Sequence, residues 1–271
     1  MDPSKTPSPR KSEFLDSVQK GLLLGAAVLA LVLPPAGVVH RKPAPQPAAR
    51  PVDGPVRLAD FGQAMPTNDV RQLANWTVYT HDHRNKSFVI VDKKDAKLYV
   101  FDPAGRLRAS SPVLLGSAIG DDTVPGIGDK PIAQVLPEER TTPAGRFIAE
   151  IGMNMRGEDV VWVDYDAAVS MHRVLTTNRS ERRLERLASP TPDDNRISYG
   201  CINVPREFYE AVLSPAVRSS GAIIYVLPET RTAQQVFGSF DVESFMKLAA
   251  SPAGGQKPHD RAVTVTKLVS P

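Results

Sequence analysis

The chain has 271 residues, of which 41% are hydrophobic and 23% charged, with a formal net charge of +3 and one cysteine. This length allows one sizeable domain with tails or two small ones, and a single cysteine excludes an internal disulfide framework and a cysteine-rich zinc site. The basic residues are scattered along the chain, which argues against a nucleic-acid partner.

The N-terminal region has the pattern of an exported protein. A tail over residues 1–20 carries four basic residues and is followed by an uncharged apolar run over 21–39. We expect a cytoplasmic tail and an inner-membrane anchor, which would place the domain in the periplasm or cell envelope; a cleaved signal peptide is the alternative. Residues 40–66 are predicted to form a Pro/Ala linker.

A strand-rich domain follows a helical lead-in over residues 67–85. The apolar spacing predicts a helix over 68–76. Short apolar segments between polar turns predict strands over 87–92, 96–101, 106–116, 146–151, 160–165, 168–174 and 222–227. Helices are predicted over 180–188, 205–213 and 242–250, before a disordered tail over 251–271. The expected fold class is strand-rich α+β.

The single cysteine, Cys201, has a candidate base in His172. Cysteine is a nucleophile only as the thiolate, which needs a nearby base or positive field. If Val169 and Met171 face the core, His172 points to the opposite side of its strand, where a site can form.

The chain around Cys201 also suits acyl transfer. Gly200 permits a sharp turn or a close approach of backbone to substrate. Pro205 favours a helix start just beyond, so we expect Cys201 to lie near the positive end of that helix. Backbone N–H groups close to the thiol could hold an oxyanion.

Three ordered motifs resemble the catalytic core of the L,D-transpeptidase (YkuD-like) family. They are FVIVDKKDAKLYVFDPAGRL (88–107), TPAGRF (142–147), and His172 followed by SYGCIN (198–203). The resemblance covers residues 86–228. It implies an L,D-transpeptidase-type, β-sandwich-like catalytic domain with inserted helices. Beyond this domain, residues 229–250 are predicted to hold the C-terminal helix.

This resemblance implies a peptidoglycan L,D-transpeptidase, a cysteine acyltransferase that cross-links the cell wall or attaches proteins to it. Cys201 would form a thioester with a stem peptide, His172 would be the base, and the Arg173 carbonyl would orient His172. The residues that would support the oxyanion are Ser198, Tyr199 and Gly200. Peptidoglycan stem peptides are the implied partner, and no cofactor or metal is implied.

Two features depart from the family pattern. Tyr199 stands where the family has a second histidine. Cys201 follows His172 by 29 positions, more than is usual, and the extra length lies in residues 176–195, which we call the spacer. Ser180 could cap a helix there, with Leu184 and Leu187 docked on the domain.

The spacer carries three arginines and raises a choice between two interpretations. They could bind the carboxylates of stem peptides, because the guanidinium group pairs well with carboxylates, or they could form the solvated face of a helix. These residues are Arg182, Arg183 and Arg186.

Other functions stay open. One is a cysteine hydrolase on the same scaffold, such as an L,D-carboxypeptidase or amidohydrolase, and another is a non-catalytic wall-binding protein. Cys201 could be a buried structural thiol and His172 a core histidine. Asn203 could contact substrate or cap the following helix.

The remaining polar clusters predict no further site. Residues 81–83 (His-Asp-His) lack a further ligand motif, so no metal is expected. Asp121-Asp122 and Asp193-Asp194 are expected to be solvated loop charges. The glycines between 116 and 128 lack the spacing of a nucleotide-binding loop.

Overall fold

The computed structural model describes residues 57–250. This range forms a strand-rich α+β domain, so the fold class expected from the sequence is confirmed. The predicted N-terminal tail (1–20), the predicted anchor (21–39), residues 40–56 of the linker and the C-terminal tail (251–271) lie outside the described residues.

Most of the strands form one large sheet. The strands are β1 (Ser87–Asp92), β2 (Lys97–Phe101), β3 (Leu107–Pro112), β4 (Leu115–Gly116), β5 (Gly145–Met153), β6 (Asp159–Asp164), β7 (Val169–Arg173), β8 (Arg196–Ser198), β9 (Ile202–Val204) and β10 (Ala222–Val226). Eight of them have the order β3-β2-β1-β10-β5-β6-β7-β9, and β4 pairs with β8. In the large sheet, β1 with β10 and β7 with β9 are the parallel pairs.

Helices cover the sheet. They are α1 (Asn68–Tyr79), α2 (Arg183–Leu187), α3 (Arg206–Phe208), α4 (Ser214–Ser220), α5 (Ala233–Phe237) and α6 (Val242–Ala250). A π-helical stretch, Tyr209–Leu213, joins α3 to α4. Single 3-10 turns occur at Ile127–Asp129, Ile132–Gln134, Pro137–Glu139 and Arg179–Glu181.

Strand β1 is buried on both faces of the sheet. Val89 and Val91 of β1 pack in one apolar cluster with the helical stretch 206–220. Phe88 and Ile90 point the other way and pack in a second cluster with α1. A strand covered on both faces needs apolar side chains at every position, which explains the uninterrupted apolar run of β1.

The predicted strands are confirmed to within one or two residues at their ends, and 106–116 contains both β3 and β4. The helix predicted over 68–76 extends to Tyr79, and the helix predicted over 205–213 begins at Arg206 and continues to Ser220. Strands β8 and β9 were not predicted. Each has three residues, too few for an alternating pattern to be recognised.

Asp121 corrects one expectation, because it is buried rather than solvated. The fully buried Lys93 donates from Nζ to Asp121 Oδ1 at 2.9 Å, to Gly120 O at 2.5 Å and to Thr142 O at 3.0 Å. This ion pair ties the long segment 117–144 to the end of β1. Asp122 is exposed, as expected.

Part of the predicted linker packs on the domain. Asp60 N donates to Gly105 O at 2.9 Å, and the ring of Phe61 meets that of Phe101 edge-on, with centroids 5.7 Å apart. Between residues 57 and 250, the chain contains no helix with the length and apolar character needed to cross a membrane.

Candidate active site

The parallel pairing of β7 with β9 brings the two ends of the main motif together. Met171 lies opposite Ile202, and His172 lies opposite Asn203. Met171 and Ile202 are in the apolar core, so the alternate side chains emerge on the other side of the sheet. There His172, Cys201 and Asn203 line one cavity.

Cys201 lies at the edge of this cavity and is 7% exposed. Its thiol donates to Ala168 O at 3.5 Å, and Sγ lies 3.9 Å from Ser170 Oγ. Burial raises the pKa of the thiol to about 11, opposed by hydrogen bonds from Ser170 and by the positive charge of Arg183. The resting side chain is therefore a neutral thiol at neutral pH.

His172 is buried in the same cavity and held by the backbone. Its Nδ1 lies 2.8 Å from Arg173 O, the contact that the resemblance implied. Because a carbonyl accepts only, Nδ1 carries the proton and Nε2 keeps a lone pair. Burial lowers the pKa of His172 to about 4, so the ring is neutral at neutral pH. Among residues 57–250, no hydrogen bond joins His172 to Cys201.

The turn before Cys201 is braced by side chains. Ser198 Oγ donates to Cys201 O at 2.6 Å and accepts from Gly200 N at 3.1 Å. Gly200 has a φ of +128°, and a Cβ there would lie 2.8 Å from Thr141 O. The hydroxyl of Ser198 is thus used inside the turn, and the Gly200 amide is already engaged.

The helix after the motif does not reach Cys201, contrary to our expectation. Strand β9 intervenes, and α3 begins only at Arg206. The three residues of β9, at about 3.3 Å each, separate Cys201 from the start of α3. Cys201 is therefore beyond the effective range of the helix dipole, whose effect fades within one turn. Asn203 lies within β9 and Pro205 is the N-cap residue, so of the two alternatives for Asn203 the structure excludes the helix cap.

The spacer folds as a 3-10 turn and α2, with a different apolar face from the one predicted. The Asn178 side chain caps the 3-10 turn by accepting a hydrogen bond from Ser180 N, so Ser180 is not the capping residue. Arg182 has a φ of +51°, a left-handed conformation that separates the 3-10 turn from α2. The side chains of α2 therefore do not continue the helical spacing of the residues before it. As a result Leu187 is buried, but Leu184 is 58% exposed, and the predicted docking of Leu184 was wrong.

Among the spacer arginines, Arg183 lines the cavity with Cys201. It is 8% exposed. Its Nη1 donates to Asn203 Oδ1 at 2.6 Å, and its Nε donates to Glu181 at 2.5 Å. This arginine was predicted to lie on a solvated face or to bind substrate. In the structure its side chain is a buried part of the cavity wall.

The other two arginines lie elsewhere. Arg182 is exposed and paired with Glu185. Arg186 donates to backbone oxygens, including Asp194 O at 2.6 Å. Both line a separate hollow on the outer side of the spacer. The sequence pattern placed the three arginines together, but their side chains diverge.

Residues that the sequence did not suggest also form part of the cavity wall. The 3-10 turns of segment 117–144 contribute apolar side chains to the cavity, namely Ile127, Ile132 and Val135. Lys130 is also on this wall, with Nζ 2.6 Å from Glu139 Oε2. Irregular backbone of this kind has no periodic signature in sequence.

Tyr199, at the position of the family's second histidine, stands at the rim. It is 40% exposed, and the guanidinium carbon of Arg140 lies 4.1 Å from the centre of its ring. This stacking is a cation–π contact. The side chain forms part of the cavity wall with Ser198 and Cys201.

The described residues contain no group of three or more His, Cys, Asp or Glu side chains that could hold a metal. In the His81–His83 stretch, both ring nitrogens of His83 lie 3.2 Å from backbone oxygens. Asp82 accepts from Arg146 Nε at 2.6 Å. These contacts are structural.

No protein-family model and no curated protein sequence matches the chain. Solved structures that it is similar to include Pgp2, a helical cell shape determining protein from Campylobacter jejuni, with 16% identity, 54% of this chain and 50% of that chain covered and a TM-score of 0.35. An L,D-transpeptidase variant from Enterococcus faecium has 16% identity, coverages of 52% and 50% and a TM-score of 0.32. An L,D-transpeptidase from Xylanimonas cellulosilytica has 14% identity, coverages of 52% and 60% and a TM-score of 0.31. The chain spans about half the length of the first two.

Proposed function

We propose that this protein is a cysteine acyltransferase of the L,D-transpeptidase type, acting on the stem peptides of peptidoglycan. The observation that carries the proposal is the joint placement of Cys201 and His172 in one cavity, with Nδ1 of His172 held by Arg173 O. The same residues complete the motifs that resemble the family. The proposal includes export and membrane attachment through residues 21–39.

In the first half-reaction, Cys201 Sγ attacks the carbonyl carbon of the donor's diamino-acid residue. The thiol proton moves to Nε2 of His172, and the C–N bond to the terminal D-alanine breaks. The imidazolium then gives its proton to the departing amine, which leaves a thioester on Cys201.

In the second half-reaction, an acceptor amine attacks the thioester carbonyl. His172 takes the amine proton and returns it to Sγ as the C–S bond breaks. A new amide bond forms, and the thiol and neutral imidazole are restored.

The electrostatics of the cavity favour proton transfer that is coupled to attack. Burial disfavours both the free thiolate and the imidazolium, because each charge is poorly solvated when it is buried. Catalytic hydrogen bonds often tighten only when substrate binds. We therefore expect donor binding to bring Nε2 and Sγ into contact.

The test is incubation of the protein with purified disaccharide-peptide fragments, followed by mass spectrometry. Cross-linked dimers would support the proposal, whereas shortened stems alone would identify a hydrolase. An unchanged substrate mixture would favour the non-catalytic wall-binding alternative. Cys201→Ala should abolish all products.

A covalent probe tests the nucleophile separately. Carbapenems resemble the acyl donor of the family, so intact-mass measurement should show one adduct on the wild type. His172→Ala should slow its formation, while His81→Ala, at an exposed position outside the cavity, serves as the matched control. An adduct that persists on Cys201→Ala would overturn the assignment of the nucleophile.

A further inference from the structure

Arg183 is a buried charge whose setting calls for an explanation. Its side chain is 7% exposed, and its identified partners are the carboxylate of Glu181 and the neutral amide of Asn203. Burying a guanidinium costs free energy unless its surroundings compensate. The Glu181 side chain is 31% exposed, so solvent screens the electrostatic effect of its carboxylate on the groups in the cavity.

The position of Arg183 puts this charge beside the reacting groups. It lines the cavity with Cys201 and His172, and it binds Asn203, which pairs with His172 across β7 and β9. Burial has the largest effect on both groups and raises the pKa of Cys201 while it lowers the pKa of His172; the positive charge of Arg183 acts to lower both pKa values. It therefore favours a thiolate and disfavours an imidazolium.

The other charged groups near the site act differently. Lys130 lines the cavity, but Glu139 binds its ammonium through both oxygens, at 2.8 and 2.6 Å. Glu158 raises the pKa of His172 and so opposes Arg183 at that ring. Of the described residues that line the cavity, Lys130 is thus paired with both oxygens of Glu139, whereas Arg183 is paired with one oxygen of the partly exposed Glu181.

We propose that Arg183, supplied by the spacer, is a positioning residue that stabilises negative charge at Cys201 Sγ and holds Asn203 beside it. This inference rests on the proposed function, since it gives the spacer a part in the same acyl transfer. The extra chain length between base and nucleophile would then deliver a fixed cation to the site.

The experiment measures the pH dependence of alkylation of Cys201 by iodoacetamide in the full chain. Arg183→Met should raise the midpoint by about one pH unit, the lower end of the shift that a nearby charge produces. Arg183→Lys should restore part of the difference. Arg182→Met is the matched control, because Arg182 is exposed and outside the cavity, and its midpoint should equal that of the wild type.

A second variant predicts a shift in the opposite direction. Glu181→Gln removes the counter-charge of Arg183 but keeps a hydrogen-bond acceptor, so the midpoint should fall. A purely structural role for Arg183 predicts no such fall. The proposal is overturned if Glu181→Gln leaves the midpoint unchanged, or if folded Arg183→Met, checked by circular dichroism, titrates like the wild type.

This measurement needs no peptidoglycan. Its failure is therefore distinct from failure of the proposed function, which would appear as shortened stems alone, as an unchanged substrate mixture or as turnover that survives Cys201→Ala.

Discussion

Thr142 Oγ1 donates a hydrogen bond to Gly200 O at 2.8 Å and accepts one from Gly116 N at 2.9 Å. One hydroxyl thus joins the segment 117–144 to the turn that presents Cys201. The TPAGRF motif begins at this threonine, so the bond links two of the three motifs found in the sequence.

We expect Thr142→Val to loosen this connection with little change in volume. Two buried backbone groups would lose their partner, at a cost of about 2–3 kcal/mol in the free energy of unfolding. Formation of the carbapenem adduct should also slow. Urea unfolding and adduct kinetics measure the two effects, and Thr177→Val, at an exposed position, should change neither. Unaltered adduct kinetics would mean that the turn does not depend on this hydroxyl.

Gly200→Ala should disrupt the turn for two reasons, backbone strain at a positive φ and steric overlap of the new Cβ with a neighbouring backbone oxygen. A Cβ at Gly200 would lie 2.8 Å from a backbone oxygen, whereas a Cβ at Gly157, with a φ of +75°, would meet nothing within 4 Å. Gly157→Ala should destabilise the domain by about 1 kcal/mol, and Gly200→Ala by more, with loss of acylation. Equal unfolding midpoints for the two variants would contradict this reading of the turn.

The pH dependence of stability should report the buried imidazole. The pKa of His172 falls from 6.5 to about 4 on folding because burial disfavours its charged form. The unfolded chain therefore binds the proton more readily, and stability is lost as the pH falls below 6.5. Between pH 7 and pH 4 this contribution is roughly 2–3 kcal/mol. His172→Gln should lose less stability than the wild type over that interval in urea titrations, with His81→Gln behaving as the wild type.

Lys93→Met should be strongly destabilising. It would remove the buried cation that Asp121 binds at 2.9 Å and leave it with the more distant Arg231, whose Nε lies 3.6 Å from Asp121 Oδ2. Breaking a buried ion pair from one side costs about 3–5 kcal/mol. Lys94→Met is the control, because the Lys94 side chain is 55% exposed and an exposed pair contributes little. Thermal unfolding distinguishes the two variants, and a similar small shift in both would show that the Lys93 pair is dispensable.

The parts of the site that could be predicted follow from local rules. Alternation along β7 correctly separated His172 from Met171, since it depends only on the twofold repeat of a strand. The neighbourhood of Cys201 was harder. Strand β9 is too short to recognise, so the sequence suggested a helix end where the structure has a strand.

The remaining errors have non-local causes. Asp121 is buried because Lys93, 28 positions earlier, supplies a cation beneath it. The face of α2 turned because Arg182 adopts a left-handed conformation, which sequence spacing does not reveal. The sequence identified Arg183 as a candidate site residue. It did not predict that the Arg183 side chain lies apart from those of Arg182 and Arg186, because this separation depends on the left-handed backbone of Arg182.

The pairing of β7 with β9 has a consequence for how this site can vary. The spacing of His172 and Asn203 is set by strand register, so it does not depend on the number of residues that connect the two strands. A loop-closure penalty grows only slowly with length, which makes added residues there inexpensive for stability. The spacer is thus a place where the chain can acquire new side chains, and exchange them, while His172 and Cys201 keep their relative positions.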